Sequence, residues 1–172
     1  MNELGGYDIE DLYVGMSATY RKQLIERDVL LFADACGDRN PVHLDEQYAR
    51  ATPFGGRIVH GMLAASVISA AIASQLPGPG SVYLSQDLKF MRPVRLGDTV
   101  DATITVSEII TQMRRVLLRT ICKVKDEVVI SGQALIMATS FAAVAATARQ
   151  KPADSSLPHA DALENPLMSR EA

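Results

Sequence analysis

Residues 58–76 read IVHGMLAASVISAAIASQL and form the most hydrophobic stretch of the chain. The stretch contains no Asp, Glu, Lys or Arg, and its few polar side chains do not line up on one face. A helix that is apolar nearly all round is buried rather than laid on a surface. The Pro-Gly-Pro-Gly run at 77–80 ends the pattern abruptly. The sequence therefore predicts one long interior helix.

The chain after this helix has the pattern of β-strands. Alternating apolar residues or β-branched residues mark four segments, 81–90, 99–109, 115–124 and 128–139. The first segment sets Val82, Leu84, Leu88 and Phe90 on one period-2 face. One buried helix followed by antiparallel strands predicts an α+β domain, in which the sheet wraps around the helix.

The residues before the helix predict shorter elements. Segment 18–25 is typical of an edge strand, and 26–35 has helical spacing with Gly37 as its end. Asp45 is placed as the N-cap of a short helix that runs to Arg50. We assign residues 1–141 to one domain. We expect a disordered tail at 142–172, where large apolar residues are few.

Composition excludes several classes of protein. With 172 residues, a net charge of -3 and a pI near 5.6, the chain lacks the basic surplus of a nucleic-acid binder. No apolar run suffices for a bilayer span, which needs about 20 residues, and residues 1–7 do not resemble a secretory signal. Two cysteines, Cys36 and Cys122, cannot form a disulfide framework. We expect a cytoplasmic protein without nucleic-acid or membrane partners.

Residues 32–45, FADACGDRNPVHLD, bring two acid–base groups together in sequence. The carboxylate of Asp38 and the imidazole of His43 flank the Asn40-Pro41 turn, and proline favours an extended Asn40. Such a pair can share general acid–base work if both groups reach one water. The alternative is that Asp38 caps a turn and that His43 is a surface or half-buried histidine.

Residues 54–63, FGGRIVHGML, lead into the hydrophobic helix. Unpaired N–H groups at a helix start can receive developing negative charge, and Gly61 lets a ligand approach the backbone. The alternative is a plain helix start with a packing glycine. We interpret His60 as a hydrogen-bonded core histidine. The spacing of His43, His60 and His159 predicts no metal cluster, and no cofactor-binding loop is present.

Taken together, these motifs resemble the MaoC-like family. Phe-x-x-x-Cys-Gly-Asp-x-Asn-Pro-Val-His-x-x-x-x-x-Ala, from Phe32 to Ala49, is similar to that family's hydratase signature. The segments IVHGML at 58–63 and LPGPGSVYLSQDLKF at 76–90 fit the same family. The likeness is strongest to bacterial (R)-specific enoyl-CoA hydratases and covers roughly residues 13–138. Cys36 stands where many relatives have serine.

The resemblance implies a hot-dog fold and a homodimer with active sites at or near the subunit interface. It implies that Asp38 and His43 are catalytic, that the Gly61 N–H is the oxyanion donor, and that Asn40 orients the loop or the water. The implied reaction is reversible hydration of a trans-2-enoyl-CoA to an (R)-3-hydroxyacyl-CoA. The implied partner is therefore an acyl-CoA substrate.

Further residues are candidates for binding that substrate. Ser69 and Ile72 are three apart on the helix and could end the acyl pocket, or could simply pack in the core. Arg57, Lys89 and Arg92, with Arg95 nearby, are candidate cations for the CoA phosphates, or are ordinary solvated charges.

Three other functions stay open. The same Asp/His pair could dehydrate 3-hydroxyacyl chains carried on acyl carrier protein. A hot-dog thioesterase would need an acidic residue on the central helix, and residues 58–76 have none. A non-catalytic binding module would not need both Asp38 and His43.

Overall fold

The computed structural model of the chain describes residues 1–142, and its compact unit spans Met1–Phe141. Five strands form one antiparallel sheet in the order β1-β3-β4-β5-β2. The strands are β1 Ser17–Gln23, β2 Val82–Phe90, β3 Thr99–Ile110, β4 Arg115–Val124 and β5 Glu127–Met137. The helices are α1 Glu26–Cys36, α2 Pro41–Leu44, α3 Glu46–Arg50 and α4 Gly61–Ser74, with 3-10 turns at Ile9–Asp11 and Thr111–Met113.

The core lies between α4 and one face of the sheet. Alternate residues of β3 point into it, and Ala102 and Ile104 are fully buried there. From the helix side, Ile68 and Ala71 are buried to the same degree. This separation of one helical layer from one antiparallel sheet confirms the predicted α+β class.

The predicted interior helix is confirmed for the side of α4 that packs on the sheet, but α4 is not buried all round. A stripe of α4 is exposed and consists of Met62, Ser66, Ser69 and Ala73. These positions follow helical spacing, so they form one face that the sheet of the same chain does not cover. Two of the four residues on this face are serines, Ser66 and Ser69, so part of the polar content of the segment lies on the exposed side.

The helix also begins later than residue 58. The N–H of Val59 donates to the carbonyl of Val94 at 2.8 Å, and Ile58 forms an isolated antiparallel bridge with Arg95. His60 is extended, with φ -54° and ψ 133°. Strand-like pairing therefore overrides the helical tendency of residues 58–60, and α4 starts at Gly61.

The predicted common face of β2 is broken by a register shift between Tyr83 and Ser85. A bulge of this kind changes which face the following residues occupy. Val82 before the shift and Leu84 and Phe90 from the shift onward are all exposed. β2 lies at one edge of the sheet, and β1 lies at the other edge as predicted.

The segment that precedes α4 follows its sequence signals closely. Gly37 ends α1 with φ 81°, a conformation that favours glycine. Asp45 caps α3 by accepting a hydrogen bond from the N–H of Tyr48 at 3.0 Å. The helical turn α2 between them was not predicted.

Among residues 1–142, no helix is long and apolar enough to cross a membrane. The predicted disordered tail at 142–172 lies outside the described residues except for its first position, so it stays a prediction.

Candidate active site

Asn40 organises the loop that carries Asp38 and His43. Its φ of -55° and ψ of 126° are extended, as predicted for a residue before proline. Its N–H donates to Oδ1 of Asp38 at 3.2 Å, and its own Oδ1 accepts from the N–H of Val42 at 3.2 Å. Asn40 therefore ties the Asp38 carboxylate to the first turn of α2, and His43 lies in that same turn.

His43 is buried, and one of its ring nitrogens is engaged. Nδ1 lies 2.9 Å from the carbonyl oxygen of Ile58. Because a carbonyl only accepts, Nδ1 carries the proton and Nε2 of the neutral ring keeps its lone pair. Burial lowers the pKa of His43 below 6.5, and repulsion from His60 adds to this; the Ile58 hydrogen bond and the Asp38 charge oppose it. The outcome is a neutral imidazole with a free basic nitrogen.

The ring of His60 lies directly against that of His43, with centroids 3.9 Å apart and a tilt of 34°. His60 is 1% exposed, and its Nε2 donates to the main-chain carbonyl of Asp38 at 2.9 Å. Its Nδ1 is buried without a hydrogen-bond partner among the described residues. His60 is therefore a buried, hydrogen-bonded histidine as predicted, but only one of its two ring nitrogens is paired, and nothing in the spacing of the sequence links it to Asp38.

Asp38, His43 and His60 converge. A carboxylate oxygen of Asp38 and one ring nitrogen from each histidine all lie within 4.8 Å of one another. The prediction that the histidines form no cluster with a carboxylate was wrong, because the fold brings together residues that are distant in sequence. By distance alone the set could hold a metal ion. Each ring donates one N–H to a main-chain carbonyl and keeps its second nitrogen as an acceptor, so a water molecule could also be bound there.

Gly61 stands next to this cluster as the first residue of α4. The N–H groups of the first helical turn have no partner within the helix, and the positive end of the helix dipole lies there. A Cβ at position 61 would lie 3.0 Å from Cε1 of Phe90. The glycine thus makes room for an aromatic ring of β2 in addition to offering its N–H.

A cavity of about 310 Å³ opens beside Gly61. Its wall is predominantly apolar and includes Phe54, Ala64, Phe90, Arg92, Val94 and Ile130. Ser69 and Ile72 do not line this cavity. Ser69 lies on the exposed stripe of α4 and Ile72 is buried in the core, so their place at the end of an acyl pocket stays a prediction.

The predicted cations have different surroundings. Arg57 donates to the carbonyl of His43 at 2.8 Å and pairs with Glu26 at 2.6 Å. It therefore links the His43 turn to the first turn of α1. Arg95 likewise bonds to the carbonyls of Gly56 and Phe54. Arg92 lines the cavity and lies 3.5 Å from Glu127.

Lys89 lies on β2 and lines a different cavity, together with Arg119 and Asp87. Of the four predicted phosphate-binding cations, Arg92 is thus the one that lines the cavity beside Gly61. A role in binding phosphate remains a prediction for each of them.

Comparison with known proteins identifies the family of the chain. Residues 14–133 match the model of the MaoC like domain. The chain is 50% identical over 127 residues to a 3-hydroxybutyryl-CoA dehydratase of Methylorubrum extorquens, covering 74% of this chain and 81% of the relative. It is 48% identical over 128 residues to an (R)-specific enoyl-CoA hydratase of Rhodospirillum rubrum, covering 74% and 89%.

Among solved structures, the chain is similar to the unliganded R-hydratase PhaJ1 of Pseudomonas aeruginosa. The TM-score is 0.75 at 46% identity, covering 78% of this chain and 87% of that one. The chain belongs to the MaoC-like dehydratase family. The predicted hot-dog fold and the predicted enzyme class, a hydro-lyase, are both confirmed.

Proposed function

We propose that the protein catalyses the reversible addition of water to a trans-2-enoyl-CoA, giving an (R)-3-hydroxyacyl-CoA. The observation that carries the proposal is the convergence of Asp38, His43 and His60 within 4.8 Å, directly before the start of α4. The names of the relatives support the same reaction class. The apolar cavity beside Gly61 supports an acyl substrate.

In the proposed reaction, the thioester carbonyl accepts a hydrogen bond from the Gly61 N–H. This polarises the conjugated double bond and makes Cβ electrophilic. Removing one such oxyanion donor typically costs about 3–4 kcal/mol of transition-state stabilisation. The positive end of the α4 dipole acts in the same direction.

Asp38 and His43 hold one water between them. The water oxygen forms a bond to Cβ while the pair takes one of its protons, and the π electrons move onto the enolate. The pair then delivers a proton to Cα of the enolate, so the two added groups are OH at Cβ and H at Cα. General acid–base catalysis of this kind contributes about 10²–10⁴-fold.

The test is to add purified protein to crotonyl-CoA and follow the ultraviolet absorbance of the enoyl thioester. We expect absorbance to fall to an equilibrium value, with (R)-3-hydroxybutyryl-CoA as the product by chiral analysis. Release of free thiol, measured in parallel, would instead indicate thioester hydrolysis. Unchanged absorbance with every enoyl chain length tested would refute the proposal.

The same assay addresses the carrier. If the substrate is acyl carrier protein, crotonyl-loaded carrier turns over with a much higher kcat/KM than crotonyl-CoA. We expect the opposite order, because the chain has a net charge of -3 and acyl carrier protein is acidic.

We further propose a homodimer, with the exposed edge strand β2 in the interface. An exposed apolar edge is a pairing surface that proteins normally cover. Val82, Leu84 and Phe90 are 48%, 42% and 52% exposed on β2 in the single chain. Light scattering should give twice the mass of 18.6 kDa for the native chain. Leu84→Lys should shift the mass toward that of the monomer.

A further inference from the structure

His60 lies between the start of α4 and the loop that carries Asp38. It immediately precedes α4, yet its side chain does not cap the helix. It is 1% exposed and contacts the catalytic loop instead, through the hydrogen bond from Nε2 to the Asp38 carbonyl. The bond joins residues 22 positions apart and ties the Asp38 segment to the start of α4.

The ring of His60 also determines where the His43 ring can lie. The centroids of the His43 and His60 rings are 3.9 Å apart. The ring of Phe32 also approaches His60, with a centroid distance of 5.0 Å and a tilt of 53°. His43 is fixed at its other end by the hydrogen bond from Nδ1 to Ile58. One buried side chain therefore contacts both members of the proposed acid–base pair.

The Nδ1 atom of His60 has an unfavourable environment. With the proton on Nε2, Nδ1 is an acceptor, and it is buried without a partner among the described residues. Buried polar atoms are nearly always satisfied, and exceptions concentrate where function requires the group.

We infer that His60 is a positioning residue for the proposed hydration: its N–H holds the main chain of Asp38 and its ring backs the imidazole of His43, so that both groups face one water. The inference rests on the proposed function. In this account His60 acts through Asp38 and His43 and is assigned no proton transfer to the substrate.

Two substitutions separate the two contacts. His60→Gln can keep an N–H near the Nε2 position but loses the ring. His60→Phe keeps a ring of similar size but cannot donate to the Asp38 carbonyl. Thr120→Val is the matched control, since Thr120 is a fully buried polar residue that contacts Gln86 on the sheet and lies outside the cluster. Thermal melting identifies any variant that does not fold.

The first readout is steady-state hydration of crotonyl-CoA. We expect His60→Phe to lower kcat by roughly 10- to 100-fold with KM nearly unchanged, because misplacing a catalytic group by about 1 Å has effects of this size. His60→Gln should recover part of the loss, and folded Thr120→Val should keep the native kcat. A folded His60→Phe with native kcat, or an equal loss in Thr120→Val, would overturn the inference.

The second readout does not depend on turnover. The His43 imidazole is titrated by NMR in the native protein and in both His60 variants. The groups that act on it are Asp38, which raises its pKa, and His60, which lowers it, with the Ile58 carbonyl bonded to Nδ1. Removing His60 should therefore raise the pKa of His43, and an unchanged titration would refute the contact.

The two readouts also separate this inference from the proposed function. If the native protein hydrates crotonyl-CoA and the His60 variants behave like it, only the inference fails. If the native protein hydrates no enoyl-CoA, the proposed function fails, and the positioning role fails with it even where the NMR titration shifts.

Discussion

Phe90 lies over the start of α4 so closely that the Cβ of any residue replacing Gly61 would be 3.0 Å from Cε1 of its ring. The contact joins the edge strand β2 to the helix N-terminus that forms part of the candidate active site. It explains the glycine by packing, whereas the sequence suggested only close approach of a ligand. Packing against Phe90 and approach of a ligand both require that position 61 has no Cβ. A displaced Phe90 ring would also reshape the cavity beside Gly61.

Gly61→Ala should therefore impair catalysis more than stability. The new methyl group meets side-chain atoms of Phe90 and no backbone atom, so we expect the free energy of unfolding to change by no more than about 1 kcal/mol. The moved ring enters the cavity that Gly61 and Phe90 both line, and KM for crotonyl-CoA should rise. Steady-state kinetics and urea unfolding measure the two effects.

The control for this substitution is the double variant Gly61→Ala/Phe90→Leu. Leucine removes the aromatic ring that the new Cβ meets, so KM should return toward the value of Phe90→Leu alone. If the double variant is as impaired as the sum of the two single changes, ring displacement is not the cause.

Replacing either member of the acid–base pair should abolish most of the hydration activity. We expect Asp38→Asn and His43→Ala each to lower kcat by about 10²–10⁴-fold, the range of general acid–base catalysis. Asp34→Asn is the matched control, since Asp34 is an exposed carboxylate nearby that pairs with Arg39. Near-native kcat in a folded Asp38→Asn would remove this residue from the mechanism.

The pH dependence follows from the neutral state of His43. Burial is the largest cause that lowers its pKa below 6.5, and a general base works only when unprotonated. The acid limb of kcat/KM for hydration should therefore be centred below pH 6.5. The free energy of unfolding should also decrease toward acid pH. The contribution of neutral His43 to it is complete above pH 6.5 and is lost as pH falls through the lowered pKa of His43 in the folded state. An acid limb centred above pH 6.5 would contradict this assignment.

Local signals in the sequence account for much of the fold. The end of α1 at Gly37 and the cap of α3 at Asp45 depend on neighbouring residues, and both are where the sequence predicts them. The start of α4 is not, because pairing of Val59 with Val94 is a long-range contact that competes with helix formation. The bulge in β2 between Tyr83 and Ser85 is similarly set by its partner strand β5.

In the candidate active site, too, the local features could be predicted from the sequence and the long-range contacts could not. The loop from Asp38 to His43 is short enough for its composition to reveal an acid–base pair, and Asn40 has the extended backbone expected before proline. The role of His60 could not be read from spacing, because its partner carbonyl belongs to residue 38 and its neighbouring ring to residue 43. Nor could spacing show that Arg57 is engaged by Glu26.

Arg57 and Arg92 should respond differently to the same substitution. Arg57 is hydrogen-bonded to the His43 carbonyl, so Arg57→Gln should lower kcat and stability, the latter by about 1–3 kcal/mol for the groups left unpaired. Arg92 is exposed and lines the cavity, so Arg92→Gln should raise KM for crotonyl-CoA by about two- to fivefold, as expected for an exposed ion pair. The Arg92 effect should fade with added salt and vanish with crotonyl-N-acetylcysteamine, which carries no phosphate. An equal rise in KM for both thioesters would show that Arg92 does not contact the CoA phosphates.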